Sequence, residues 1–396
     1  MIPLLVTLWG LVTTFQGFVR TYKFLLLSRF LLGAVEGGLY PATVLYVSNF
    51  YKRSELQIRI AIFSSSVALS GAIAGVLAYG LIQMDGIGNI PGWGWIFIVE
   101  GIFTTICGIG GFFVFPLSPS QCQFLTLEER DIMKLRLEKD SFDTISSKEE
   151  NFSWKQILQA FKSPHVILVS AALFMTGVNI YGLAYFQPSI IRSLGFKGKM
   201  IQLISVPPFA VGFISMISTS YASDRYRSRG VTATLCSAVA FIGYALFYTQ
   251  SSNSVRYGSI FLSTAGVYSV SPTLYAWIAN NSMPHYRKAT AIALGPVAAN
   301  SGGILSTWLF PTSAEPQYRL ATIINMSFSA GTLALCCVNL IWLKNRNNKK
   351  KTLRDKKTQI LESDSLGSFH SEKKHNLSRK ISSPKGDDHP DFIYAY

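Results

Sequence analysis

Two charged residues stand inside an otherwise apolar run, FLLLSRFLLGAVEGGLYPATVLYVSNFY: Arg29 and Glu36. Seven residues apart, they are separated by about two turns of an α-helix and share a face. A charge at the centre of a bilayer costs roughly 2.5–3.5 kcal/mol on insertion scales, so such residues normally face a partner or a water-filled cavity. A carboxylate that alternates between protonated and ionised forms needs a desolvated position, which makes Glu36 the candidate for proton or cation coupling. An ion pair of Arg29 with Glu36, or with another helix, that only fixes packing is the alternative. Glu100, just inside the run that follows GWGW, suits an interfacial role beside the tryptophans.

Further along, Asn179, Tyr181, Tyr268, Tyr275, Trp277 and Asn300 sit within apolar runs as candidates to line a substrate cavity, with packing or interface anchoring as the plainer role for the aromatics. Pro207, Pro208, Pro272 and Pro296 each remove a helix hydrogen bond, as a binding-site break or as a tolerated kink. Small residues four apart, Gly33 with Gly37 and Gly71 with Gly75, read as close helix packing. The short loop SYASDRYRSRG carries Asp224, Arg225, Arg227 and Arg229, which a solvated positive loop would also explain. Cys107, Cys122, Cys236, Cys336 and Cys337 have no CxxC spacing, and the histidines lie at run edges or in the tail, so neither a disulfide framework nor a metal site is indicated. No grouping of nucleophile, base and orienting residue suggests an enzyme, and no cofactor is expected beyond a proton gradient.

The elements that would hold these residues are membrane helices. Of 396 residues, 49% are hydrophobic and 14% charged, far from the roughly one-quarter charged content of an average soluble domain. The net charge of +15 would suggest nucleic-acid binding in a soluble chain, but 13 of the 36 basic residues lie from Lys344 onward and most others flank apolar runs. That placement is an orientation signal, and the partner it implies is a lipid bilayer rather than a nucleic acid. No residue pattern sets an oligomeric state.

A bilayer core of about 30 Å needs about 20 helical residues. Runs of that kind fall at 4–19, 24–49, 60–83, 95–116, 166–186, 201–221, 231–249, 257–280, 289–311 and 320–343, ten in all. Four domains follow: a helix bundle over 1–116, a cytosolic linker over 117–165, a second bundle over 166–343 and a basic tail over 344–396. The linker holds eight acidic and seven basic residues and one amphipathic stretch, Leu127 to Leu137. The tail lacks a hydrophobic pattern and is expected to be disordered. Linker and tail put both ends on the cytosolic side, and the opening run, without a basic start, reads as a retained span.

Several ordered motifs resemble the major facilitator superfamily and, within it, the fungal allantoate permease family of anion:cation symporters. RFLLGAVEGGLYPATVLYVSNFYKRSELQIRIA is similar to that family's fourth-helix signature, GWGWIFIVEG to its fifth-to-sixth helix passage, FQPSIIRSLGF with QLISVPPF to its seventh-to-eighth, and SPTLYAWIANNSMPHYRKA to the end of its tenth. The resemblance runs from about Trp9 to Arg319. It implies an all-α fold of two six-helix bundles, alternating access, and proton-coupled uptake of a small organic anion such as a vitamin, ureide, carboxylate or short peptide, with the plasma membrane as its site.

Carried over by position, Arg29 and Glu36 become the polar pair of a cavity-lining helix, and Asp224, Arg225 and Arg229 the inner gating loop, where pairing with a neighbouring helix end would hold the gate shut. Ser220 stands where that loop's pattern has a leading glycine, and SGAIAGVLAYG lacks the Gly-Pro pair of drug antiporters, which leans toward symport. By the same comparison Met1 falls just before the family's third helix, so a fold lacking its first two helices, with four spans before the linker and six after it, is expected. A non-transporting paralogue that senses a nutrient, or an inactive fragment, is the alternative.

Overall fold

A computed structural model describes residues 1–52, 55–82, 84–116, 122, 125–140, 153–193, 195, 200–309, 318–365 and 392–396. Among them there are helices and turns but no strands. The helices are α1 (Ile2–Gln16), α2 (Tyr22–Glu36), α3 (Leu39–Phe50), α4 (Leu56–Ile82), α5 (Gly92–Val114), α6 (Leu127–Asp140), α7 (Trp154–Lys162), α8 (Pro164–Ser193), α9 (Met200–Tyr226), α10 (Arg229–Thr249), α11 (Asn253–Asn281), α12 (His285–Ser306) and α13 (Arg319–Ser365). Each of the ten expected apolar runs falls on one of them, the second being divided between α2 and α3. Among the described residues six stretches are long and apolar enough to cross a membrane: Tyr22–Phe50, Gly92–Val114, Pro164–Ala184, Ile204–Tyr226, Arg229–Thr249 and Arg319–Lys356.

The chain divides into two compact units. The first is Met1–Lys52 with Ile62–Leu137, the second Arg53–Ala61 with Glu138–Tyr396. This departs from the division expected from composition, because the first turns of α4 belong with the later helices and α6 is shared between the units. Hydropathy marks where a helix lies and is blind to which neighbours its ends pack on.

In the first unit α1 and α5 pack face to face on glycines seven residues apart. A Cβ placed on Gly10 would lie 2.5 Å from the Thr105 backbone nitrogen, one on Gly101 2.4 Å from that of Thr14, and one on Gly108 2.6 Å from that of Thr7. No side chain fits at such separations, so glycine is required. The threonines between them turn their hydroxyls inward: Thr7, Thr14 and Thr105 donate to the carbonyls of Pro3, Gly10 and Gly101, four residues back. These three hydroxyls are thus satisfied inside the seam. The expected Gly33–Gly37 seam does not form. A Cβ on Gly33 would meet nothing within 4 Å, and one on Gly37 would meet only its own helix at the Gly33 carbonyl. The pair belongs to the turn that divides α2 from α3, where Pro41, lacking an amide hydrogen, cannot bond back to Gly37. Packing of Gly71 and Gly75 lies outside the described residues.

In the second unit α11 is the central helix, buried almost continuously from Gly266 to Asn281. It packs on α10 through Gly243 against Ser263 and Gly266 against Ala240, while α8 meets α12 through Gly177 against Ala299 and Gly302 against Phe174. Helices run through all four internal prolines. Among its described residues the linker holds two helices rather than one. α6 begins with a reciprocal cap in which Thr126 N donates to Glu129 Oε2 (2.9 Å) and Glu129 N to Thr126 Oγ1 (3.3 Å). α7 is added beyond it.

The tail departs from the disorder expected over 344–396. α13 continues unbroken to Ser365, since a helix already nucleated by its membrane portion needs only good helix formers to extend, and KNRNNKKKTLRDKK is rich in lysine and arginine. Phe392 and Tyr394, beyond it, are buried. Residues 366–391 lie outside the described residues.

Candidate functional site

The most completely satisfied polar cluster lies at the start of α4, the end of α9 and the start of α10, all within the second unit. Asp224, in the last turn of α9, accepts from the backbone nitrogens of Gln57 (3.4 Å) and Ile58 (2.7 Å), two of the unpaired donors at the α4 N-terminus. Its negative charge there meets the positive end of the helix dipole. Arg229 Nη1 lies 2.5 Å from Asp224 Oδ1. Gln57 completes the cluster: its Oε1 accepts from Ser223 Oγ and Arg229 Nη1, both at 2.6 Å, and its Nε2 donates to Thr273 Oγ1 at 2.6 Å and to Ser220 Oγ at 3.5 Å.

Gln57, Ser220, Ser223 and Thr273 are fully buried, and Arg229 is 2% exposed. Ions removed from water in this way are stable only when paired and hydrogen-bonded, and removing one partner strands the other. In this structure the cluster is joined, every one of these contacts being made at once. Of the expected gating residues the structure joins Asp224 and Arg229, while Arg225 is exposed on the turn. Gln57 was not legible in the sequence: a glutamine in SELQIR is ordinary until the fold brings α9 and α10 to it. Ser220, the substituted glycine position, supplies one of its partners.

In the first unit Arg29 projects from α2 beside Gln16 and Phe97. With the Gln16 amide turned so that its oxygen faces the guanidinium, that oxygen accepts from Arg29 Nε (3.0 Å) and Nη2 (3.1 Å). The guanidinium carbon lies 5.3 Å from the Phe97 ring centroid, a cation–π contact. Glu36 is the last residue of α2, exposed at the turn and within electrostatic reach of Arg29.

The six candidates for the cavity are distributed over several helix contacts of the second unit. Tyr181 on α8 donates to Asn300 Oδ1 on α12 at 2.5 Å. Asn179, buried two residues before it on another face of α8, donates to Ser329 Oγ on α13 (3.1 Å), while its Oδ1 has no partner among the described residues. Tyr268 stacks edge-on against Phe209 of α9, and Tyr275 fills the space over Gly295 of α12. Trp277 lies elsewhere: wholly buried, it packs its indole on Gly230 and edge-on against His165, whose ring nitrogens lie 3.0 Å from Asn339 Oδ1 and 3.3 Å from the Trp277 carbonyl. One more polar spot escaped the sequence reading, a cavity of about 20 Å³ between α8, α10, α11 and α13. Two of its lining atoms, Tyr244 Oη and Asn325 Oδ1, have no partner among the described residues. It has room for one water.

Apolar helices packed on glycine, with the buried Arg229 held in an ion pair, are the build of a multi-pass membrane protein. The profile of the Major Facilitator Superfamily matches residues 1–307, and the chain belongs to that superfamily of transporters; it is not an enzyme. An uncharacterized transporter of Schizosaccharomyces pombe is 33% identical over 89% of this chain and 70% of its own length. The high-affinity nicotinic acid transporter of Saccharomyces cerevisiae is 28% identical over 91% of this chain and 66% of its own. Two more S. pombe transporters are covered over 63% of their length, so the chain spans about two thirds of the relatives it matches. Among solved structures, the proton:xylose symporter XylE shares the fold with a TM-score of 0.61 at 14% identity, over 87% of this chain and 78% of its own.

Proposed function

We propose that the chain belongs to a proton-coupled symporter of the allantoate permease type that carries a small organic anion, a vitamin, ureide, carboxylate or short peptide, across the plasma membrane by alternating access. The observation that carries this reading is Arg29: a guanidinium inside an apolar helix, held by neutral Gln16 and the face of Phe97 rather than by a salt bridge. Its charge is available to a carboxylate, for which the planar guanidinium is well matched. Glu36 competes for that charge when ionised. Protonating it removes the competitor, so anion and proton would load together. Similarity to the nicotinic acid transporter supports the anionic class, since nicotinic acid carries a carboxylate. Asn179, Tyr181, Tyr268, Tyr275 and Asn300 remain candidates for contact with the rest of the substrate. The Asp224–Arg229 cluster acts as the inner gate, intact in one state and broken in the other.

The test is uptake of a labelled carboxylated vitamin by proteoliposomes holding the protein. An inward proton gradient should drive accumulation; Glu36→Gln should lose that dependence while retaining exchange of labelled for unlabelled substrate, and Arg29→Gln should lose both. Gradient-driven accumulation that survives Glu36→Gln would overturn the coupling role.

A further inference from the structure

The segment Phe392–Tyr396 lies extended against the ends of α11 and α13, and its main chain is met by side chains on both edges. Tyr394 exchanges two hydrogen bonds with the Asn347 amide, donating to Oδ1 and accepting from Nδ2, each at 3.0 Å. Ala395 does the same with Asn281 on the opposite edge, donating to Oδ1 at 2.7 Å and accepting from Nδ2 at 3.0 Å. Lys350 Nζ donates to the Phe392 carbonyl at 3.1 Å, on the same edge as Asn347. Residues 392 and 394 toward α13 and 395 toward α11 are the alternation of a β-strand. The side chains alternate too: Phe392 and Tyr394 are 1% and 3% exposed, whereas Ile393 is 56% exposed. Lys350 lies 5.1 and 4.1 Å from the two buried rings. These contacts read a backbone and two aromatic positions, as strand-addition sites do.

The slot also touches the gate cluster. Trp277 Nε1 donates to the Ala395 carbonyl at 3.0 Å. The indole of Trp277 fills the space over Gly230, where a Cβ would lie 2.6 Å from its Cζ2. Gly230 follows Arg229, which bonds Asp224 and Gln57. An unbroken series of contacts thus runs from the segment to the start of α4.

We propose that the ends of α11 and α13 form a binding slot for an extended aromatic peptide, that its occupant is the chain's own segment Phe392–Tyr396, and that occupancy holds the Asp224–Arg229–Gln57 cluster together. Twenty-six residues separate Ser365 from Phe392, so slot and occupant belong to one chain and meet without a second molecule. The slot is therefore filled at rest, and whatever withdraws the segment loosens the gate.

Amide hydrogen exchange on the full chain in lipid nanodiscs tests this without any transport measurement. The Tyr394 and Ala395 amides should be protected. Asn347→Leu and Phe392→Ala should each lower that protection roughly tenfold, the effect of losing a hydrogen-bond pair or a buried ring, while Ile393→Ser should leave it unchanged. Removing residues 392–396 should speed exchange at the Gln57 and Ile58 amides, which Asp224 accepts, and the synthetic peptide DFIYAY added in trans should restore their protection, which also shows that the shortened chain is folded. Free-chain exchange at Tyr394 and Ala395 in the full protein overturns the slot. Unaltered exchange at Gln57 and Ile58 after removal overturns its hold on the gate.

Discussion

Asp224 shows how much one side chain can carry when its neighbours leave it no alternative. It neutralises Arg229 and caps α4 in the same place, so Asp224→Ala leaves a guanidinium 2% exposed without its counter-charge and two helix-start donors without an acceptor. Breaking a buried pair in this way costs about 3–5 kcal/mol, and thermal unfolding of the purified variant should show it as a clear drop in midpoint. Gln57→Leu keeps the pair but strands the Ser223 hydroxyl, Thr273 keeping its bond to the Ser269 carbonyl, at about 1–3 kcal/mol for a buried donor or acceptor left unmade. The ordering of the two losses, measured side by side, is the check: equal losses would mean that Asp224 contributes no more than a neutral hydrogen bond. At this scale Asp224 and Arg229 were legible because charges beside apolar runs stand out. Gln57, Asn281 and Asn347 were not, because neutral amides are common and acquire meaning only from what the fold sets against them.

Helices meet here on residues chosen for being small. The α1–α5 seam depends on Gly10, Gly101 and Gly108 at backbone contact, and Gly101→Leu must force the pair apart. Overpacking a close interface costs about 1–3 kcal/mol; the same change at Gly33, where nothing lies within 4 Å, should cost none of this, and unfolding of the two variants compares them directly. The reciprocal cap at α6 has a pH signature. Hydrogen bonds from the Thr126 backbone, and then its side chain, hold the Glu129 carboxyl below its ordinary value of 4.5. A carboxyl lowered in the folded state contributes stability that is present above the unfolded value and lost as pH falls through the folded one. Exchange at the Thr126 and Glu129 amides should therefore be slow above pH 4.5 and quicken, relative to a Glu129→Gln chain, as pH falls below it. The sequence showed α6 through its apolar spacing. It also held the glycine seam in plain view, with Gly101 and Gly108 seven residues apart on α5, whereas the more familiar four-residue spacing pointed to Gly33 and Gly37, which pack on no other helix.

For the molecule as a whole, charge placement sets the orientation. Basic segments are retained in the cytosol, so the expectation is that linker and tail share that one side. In sealed right-side-out vesicles trypsin should leave Lys134 and Lys356 intact, and permeabilising the vesicles should expose both together; cleavage of one before permeabilisation would mean that the two lie on opposite faces. The same segments illustrate the limit of composition. A basic tail without apolar pattern reads as disordered, yet its first part extends α13 to Ser365 and its last five residues bury two aromatic rings.

What the sequence determined by itself was the class of protein, the positions of the apolar helices and the residues whose charge is costly in a bilayer, because each follows from local hydropathy along the chain. The tertiary structure decided which of those residues meet. It joined Asp224 to the start of α4 and Tyr181 to Asn300, placed Trp277 under the Phe392–Tyr396 segment, and left Arg225 exposed. The reason is physical: insertion cost is a property of one residue in its own stretch of chain, whereas the buried Gln57 amide and the Asp224 carboxylate are satisfied by groups more than a hundred residues away, which only packing brings within 3 Å.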